Sequence, residues 1–219
     1  MKAILFDLDG TLLDRDASLH EFVAAQYQRF QTYLHHVPVD KYVARFIELD
    51  CRGHIWKDKV YQQLINEYSI SGLSWNQLLE DYETHFMQHC IPFPYLFSML
   101  DTLQEREHSL GLITNGRGAF QTRAIQGLGI EHYFDAILIS EIEGIKKPDI
   151  QIFQRALDKL GVDANASIFV GDHPQADIEG AKNAGMKTIW KKDLYWPVAF
   201  EADATIEDLS EIPAIAQDL

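Results

Sequence analysis

The chain has 219 residues, 47% of them hydrophobic, which is enough apolar material for a sizeable core in one large or two unequal domains. Its 19 Lys and Arg against 33 Asp and Glu give a formal charge of −14, which repels a nucleic-acid backbone and leaves any anionic substrate dependent on locally placed cations. Cys51 and Cys90 lack the Cys-x-x-Cys spacing of a structural zinc site and fit reduced thiols in a cytoplasmic protein, and no run approaches the roughly 18 apolar residues of a membrane span or the core of a signal peptide.

In chain order, the first element is an apolar strand, residues 2–6, that ends in Asp7-Leu8-Asp9-Gly10-Thr11. Residues i and i+2 of a strand face the same way, so Asp7 and Asp9 leave the strand end close together. Two like charges held there require a cation or a proton. Gly10 permits a sharp turn that brings backbone N–H groups near the carboxylates.

About a hundred residues separate this strand from the next, far more than the dozen that a crossover needs. The interval reads as four amphipathic helices, 18–36, 39–49, 56–68 and 75–89, broken at Pro38, Gly53 and Ser71-Gly72. The prolines of Ile91-Pro92-Phe93-Pro94 stop the last helix and return the chain. Residues 15–94 are therefore expected to form a helical-bundle cap inserted into a core of residues 1–14 and 95–219, with linkers near 13–17 and 91–94 that would let it move as a lid. Trp56, Tyr61, Trp75 and Tyr82 fall at helical positions and are expected in the cap core. Arg52-Gly53-His54 interrupts the helical pattern, which makes Arg52 and His54 candidates for substrate selection.

Beyond the insert, the apolar runs 110–114, 136–140, 167–170 and 187–190 read as strands, and 119–128, 149–160 and 177–184 read as the helices between them. This alternation predicts a doubly wound, Rossmann-like parallel sheet whose ligands bind at the carboxyl ends of the strands. Those ends carry the polar residues. Thr114-Asn115-Gly116 supplies a hydroxyl and backbone N–H groups leading into a helix N-terminus, an expected anion site with Arg117 beside it. Lys146-Lys147-Pro148-Asp149 opens the next helix, with Lys146 expected in solvent. Gly171-Asp172-His173-Pro174-Gln175-Ala176-Asp177 adds two carboxylates, and His173 is expected to shape the turn. An oxygen-only cluster of this kind suits magnesium, which shares its remaining positions with a substrate phosphate. A cation, a lysine and several donors in one small volume fit a phosphoryl group.

The motifs Asp7-x-Asp9-Gly10-Thr11, Thr114-Asn115, Lys147-Pro148 and Gly171-Asp172-x-x-x-x-Asp177, in this order, resemble those of the haloacid dehalogenase superfamily, specifically its magnesium-dependent phosphatase branch with a helical cap. The resemblance implies that Asp7 is the nucleophile and forms an aspartyl-phosphate, and that Asp9 is the general acid and base. Thr114 and the backbone of Asn115 would hold phosphoryl oxygens, with Lys147 neutralising them. Magnesium would sit on Asp7, the carbonyl of Asp9 and Asp172, with Asp177 as a water-mediated ligand or an anchor. The expected substrate is a small phosphorylated metabolite, with no nucleic-acid or membrane partner; the oligomeric state stays open. The same residues fit a sugar phosphomutase, a metal-independent haloacid dehalogenase using the same aspartate on carbon, or, outside the enzymes, a phosphoacceptor signalling module.

Overall fold

A computed structural model describes residues 2–196 and 201–219. Strands β1 (Ala3–Phe6), β2 (Ser109–Thr114), β3 (Ala136–Ile139), β4 (Ser167–Gly171), β5 (Lys187–Lys191) and β6 (Ala204–Ile206) form one parallel sheet in the order β3-β2-β1-β4-β5-β6. Every residue of β1, β2 and β4 is buried, as expected of strands covered on both faces, whose sequences read as continuous apolar runs. Central β1 is in register with both neighbours, Phe6 lying opposite Leu112 of β2 and Val170 of β4. The Asp7 N–H continues this ladder onto the Val170 carbonyl at 2.9 Å.

One face of the sheet, with Ala3, Leu5, Ile113, Leu138 and Phe169, packs against Ile152, Phe153, Ala156 and Leu157 of α9 (Ile150–Leu160) and Ala181 of α10 (Gly180–Asn183). Asp149 caps α9 by accepting from the Gln151 N–H at 2.9 Å, and Gly161 ends it in the left-handed region at φ +66°. The remaining helices of this unit are α6 (Leu96–Glu105), α7 (Gly118–Leu128), α8 (Ser140–Glu143) and α11 (Ile212–Asp218), with α6 packed on α11. Three of these helices and one strand escape the sequence reading; α8 begins at Ser140, the residue expected to end the strand over 136–140. Helix α6 buries Leu96, Met99, Leu100 and Leu103 at ordinary helical spacing, but it starts directly after the proline linker. Strand β6 has three residues, too few to show a period, and α11 follows it closely.

The chain divides into two compact units, Met1–Asp14 with Pro92–Leu219, and Arg15–Ile91. The second boundary falls three residues before the position expected from the prolines. Pro92 bridges to Leu13, and the Phe93 N–H donates to the Leu12 carbonyl at 3.0 Å, so the proline linker from Pro92 on belongs to the first unit.

The helical unit comprises α1 (Arg15–Arg29), α2 (Gln31–Leu34), α3 (Val39–Asp50), α4 (Lys57–Glu67) and α5 (Trp75–His85). The helix expected over 18–36 begins at Arg15 and breaks at Phe30, where φ −105° and ψ 19° leave the helical region. Its Arg29 pairs with buried Asp81 of α5 at 2.7 Å. The helix expected over 75–89 starts with a capping box between Ser74 and Gln77 and tightens to a 3₁₀ turn at Phe86–His89. Phe22, Phe46, Tyr61 and Tyr82 fill the core, with Phe22 edge-on to Tyr82 at 5.3 Å. Trp56 and Trp75, expected beside them, are only half-buried. Cys51 is exposed, and neither it nor Cys90 is in a disulfide.

Candidate active site

Residues from four strand ends meet in the first unit. Asp7 follows β1, tied to β4 through its backbone N–H, and is buried. The turn that follows is closed by the Leu12 and Leu13 N–H groups, both donating to the Leu8 carbonyl at 2.9 Å. Gly10 stands in the left-handed region at φ +84°, and a β-carbon on it would lie 2.6 Å from Asp172 Oδ2. Conformation and close approach thus both require glycine at that position.

Lys147 is buried, with Nζ 2.6 Å from Asp7 Oδ1 and 2.7 Å from Asp177 Oδ1. Asn115 holds its backbone from both sides, Oδ1 accepting from the Lys147 N–H at 2.9 Å and Nδ2 donating to the Lys147 carbonyl at 3.0 Å. The Asn115 side chain thus fixes the lysine, while the expected phosphate role concerns the Asn115 backbone alone. Lys146 is exposed, as expected.

Asp177 is delivered by a wide π-type turn, Pro174–Glu179, in place of the α-helix expected to begin at 177. Pro174 starts this turn, and the Asp177 and Ile178 N–H groups share the His173 carbonyl at 2.9 and 3.4 Å. The turn folds Asp177 back against Gly171, where a β-carbon would come within 2.4 Å of its side chain. Asp177 Oδ2 accepts from the His173 N–H at 2.9 Å. His173 itself caps the turn, its Nδ1 accepting from the Gln175 and Ala176 N–H groups at 3.2 and 3.1 Å.

Asp7, Asp172 and Asp177 bring carboxylate oxygens within 4.8 Å of one another, all buried. Asp177 Oδ1 is held by the Lys147 ammonium at 2.7 Å, an ion pair between two buried groups. Burial pushes Asp7 up to about 7; Lys147 opposes this, while Asp177 and Asp9 add to it. Asp172 is raised well above the usual carboxylate range, first by burial and then by Asp177 and Asp7. Burial works against the charge on Lys147, but Asp177 and Asp7 outweigh it and hold the ammonium at about 12. Three carboxylates against one ammonium leave an excess of buried negative charge. An oxygen-only donor set carrying this excess negative charge fits a divalent cation such as magnesium.

Asp9 is half-buried, and Oδ2 accepts from Gln121 Nε2 at 2.8 Å. Its carboxylate is therefore turned to α7 and is not one of the three clustered carboxylates. The helix N-terminus expected to bind an anion is already filled. The Gly118 N–H donates to Glu141 Oε2 at 2.7 Å and the Gly116 N–H to Ser140 Oγ at 3.0 Å. A carboxylate at the positive end of α7 satisfies one of its free donors and complements its dipole. What remains for a phosphoryl group at this strand end is the buried Thr114 hydroxyl and the backbone of Asn115. Arg117 is exposed at the α7 N-cap.

Arg52 and His54 lie in the helical unit. Cys51 and Arg52 are both left-handed, at φ +47° and +53°, a conformation that costs roughly 1–2 kcal/mol per residue outside glycine. Asp50 holds this turn by accepting from the Gly53 N–H at 2.8 Å while pairing with Arg15 at 2.8 Å and with buried Lys57. Arg52 reaches Asp16 at 3.5 Å, and His54 is exposed.

Several partners of the site are absent from the sequence reading. Trp190 Nε1 donates to the Asp172 carbonyl at 2.8 Å, and buried Lys191 donates to the Gly10 carbonyl at 3.0 Å while its ammonium lies 3.4 Å from the Phe93 ring centroid. Burial depresses Lys191, partly offset by Asp172, Asp193 and Asp14. Gln121 is the third. Its signal is a polar residue at a position that helical spacing gives to the buried face with Ala124, Ile125 and Leu128.

Residues 4–191 match the haloacid dehalogenase-like hydrolases, and the chain belongs to that family. It is 33% identical over 210 residues to the glyceraldehyde 3-phosphate phosphatase of Pyrococcus abyssi, spanning 88% of this chain and 82% of that one. It is 32% identical over 222 residues to the pyrimidine 5'-nucleotidase PynA of Streptococcus pneumoniae, spanning 94% and 90%. The structure of a 2-haloacid dehalogenase from Pseudomonas syringae superposes with a TM-score of 0.65 at 29% identity over 100% of this chain and 99% of that one. Among the described residues no helix is long and apolar enough to cross a membrane.

Proposed function

We propose that the chain is a magnesium-dependent phosphatase that hydrolyses a small phosphorylated metabolite through an aspartyl-phosphate on Asp7. The observation that carries this reading is the buried Asp7, held 2.6 Å from the Lys147 ammonium within a carboxylate cluster that one lysine does not neutralise. The relatives from Pyrococcus and Streptococcus bear names of phosphate-ester hydrolases with small substrates.

In this mechanism an Asp7 oxygen attacks phosphorus and the bond from phosphorus to the ester oxygen breaks. Asp9 gives its proton to that oxygen, so the alcohol departs neutral and Asp7 is left phosphorylated. Water then attacks the phosphorus and yields a proton to Asp9, the bond from phosphorus to Asp7 breaks, and inorganic phosphate leaves. Lys147 and the Thr114 hydroxyl stabilise the charge spread over the phosphoryl oxygens. Asp7, Asp172 and the Asp9 carbonyl would hold magnesium, which when bound offsets the negative charge of the nucleophile and the phosphoryl group. Asp177, committed to Lys147 and the His173 N–H, anchors the cluster.

The dehalogenase neighbour shares the fold, but a displacement at carbon leaves a halide that needs no proton, so it has no use for an acid where Asp9 stands. A screen of phosphorylated metabolites with magnesium, read as released phosphate, tests the proposal. Repeated turnover abolished by EDTA and restored by magnesium is expected. A single equivalent of phosphate would indicate a phosphoacceptor module, and halide release from 2-haloacids without metal would indicate a dehalogenase.

A further inference from the structure

We infer that Gln121 is a positioning residue that orients both Asp9 and Thr114 for phosphoryl transfer; this rests on the roles proposed above for those two residues. Gln121 is 2% exposed and occupies the apolar face of α7. A buried amide is costly there unless it is paired. Its Nε2 lies 2.8 Å from Asp9 Oδ2 and 2.6 Å from Thr114 Oγ1. The two acceptors belong to different strand ends, and Asp9 is 112 positions away in sequence.

The sense of these hydrogen bonds follows from chemistry. Asp9 Oδ2 accepts whether or not the other carboxyl oxygen carries a proton, so the amide nitrogen, not its oxygen, faces Asp9. The two amide protons then serve Asp9 and Thr114 separately. Toward Gln121 the Thr114 oxygen is an acceptor, which leaves its own O–H free to donate to a phosphoryl oxygen. One Asp9 oxygen is likewise fixed, and the other is left for the leaving group or water. The stem of Gln121 occupies space that only glycine leaves open at position 116, where a β-carbon would lie 2.8 Å from its Cγ.

The test is steady-state kinetics with magnesium on an alkyl phosphate and on para-nitrophenyl phosphate, for Gln121→Met in the wild-type and Asp9→Asn backgrounds. Methionine keeps the length and apolar volume of glutamine but donates nothing. The expected result is a fall in kcat of about 10- to 100-fold on the alkyl phosphate, the usual effect of misplacing a reacting group, and a smaller fall on the aryl phosphate, whose leaving group needs little protonation. In the Asp9→Asn background the added loss in kcat on the alkyl phosphate should shrink to about twofold, with the Thr114 contribution read in KM. Gln121→Asn, which keeps the amide but cannot reach both acceptors, should show the same substrate split and covers the case in which the methionine variant does not fold. Equal losses on both substrates, or losses that multiply fully with Asp9→Asn, overturn the inference. If Asp9→Asn alone shows no dependence on the leaving group, the acid–base assignment fails first and the role of Gln121 falls with it.

Discussion

Each unit of the molecule buries carboxylates among basic side chains, and the two clusters are balanced in opposite ways. In the helical unit one carboxylate, Asp50, faces two cations, Arg15 and Lys57, and also accepts from the Gly53 N–H. Against the pull of burial, Lys57 and Arg15 hold the Asp50 carboxyl below its usual value. In the catalytic unit three carboxylates share one lysine, and Asp7 and Asp172 are driven upward. The carboxylates of both clusters are buried, so the contrast lies in the count of charges. A cluster that satisfies itself stabilises a turn, here the left-handed pair Cys51 and Arg52. A cluster that does not satisfy itself is held in place by the surrounding sheet, and under the function proposed above it is the one that would bind a cation and a phosphoryl group.

The largest effect that separates the clusters is expected from removing the nucleophile. Asp7→Asn should lower phosphate release by about 10⁴-fold or more, as loss of a nucleophile does elsewhere, without loss of stability, because it takes a charge out of an over-negative cluster. A phosphoenzyme trapped by acid quench from wild type should be absent in this variant. Asp50→Asn should do the reverse. It leaves Lys57 buried without its partner and should cost about 3–5 kcal/mol in urea unfolding, while kcat of the folded fraction is retained. The pH dependence carries the sign of the shift. The folded Asp50 carboxyl lies below its usual 3.8, so its contribution is fully present above that pH and is lost as pH falls through the folded value. The gap between wild type and Asp50→Asn should therefore close in acid.

Asp9→Asn should slow turnover by about 10²- to 10⁴-fold, the usual worth of general acid–base catalysis, with the smaller losses on activated aryl phosphates. Equal slowing of alkyl and aryl phosphates would remove the acid role. Smallest are the effects at the turn that Asp50 supports. Arg52→Ala and His54→Ala should leave hydrolysis of para-nitrophenyl phosphate nearly unchanged while altering the ranking of natural substrates by about 1.5–3 kcal/mol in kcat/KM, the worth of a hydrogen bond to a charged group. An unchanged ranking in both variants would reduce this loop to a turn.

What the sequence discloses and conceals follows from the range of the interactions. Parallel strands buried on both faces announce themselves as apolar runs, and the residues just beyond them, Asp7, Thr114, Lys147 and Asp172, can be placed at one edge of the sheet before any coordinates are known. Partnerships across that edge cannot. Glu141 fills the N-terminus of α7 from another strand end, 23 positions from Gly118, which turns an apparent anion site into a capped helix. Asn115, read through its backbone, acts through its side chain on Lys147, 32 positions on. Gln121 left a trace as a polar residue in an apolar stripe, but its partners could be named only once β1 and β2 stood side by side. Local conformation hid the rest. The π-type turn at Pro174–Glu179 that aims Asp177 has no periodic signature, and β6 is too short to have one.

The measurement that bears most directly on the contrast between the clusters is thermal unfolding of wild type, Asp172→Asn and Asp50→Asn, each in EDTA and in magnesium. A ligand that binds only the folded state at 100 times its Kd stabilises it by about 2.7 kcal/mol. The unbalanced cluster predicts that magnesium raises the Tm of wild type and of Asp50→Asn by the same amount and barely moves Asp172→Asn, which in EDTA is at least as stable as wild type. No shift in wild type, or an equal shift in Asp172→Asn, would contradict the assignment of Asp7, Asp172 and Asp177 as a cation-dependent phosphoryl-transfer site.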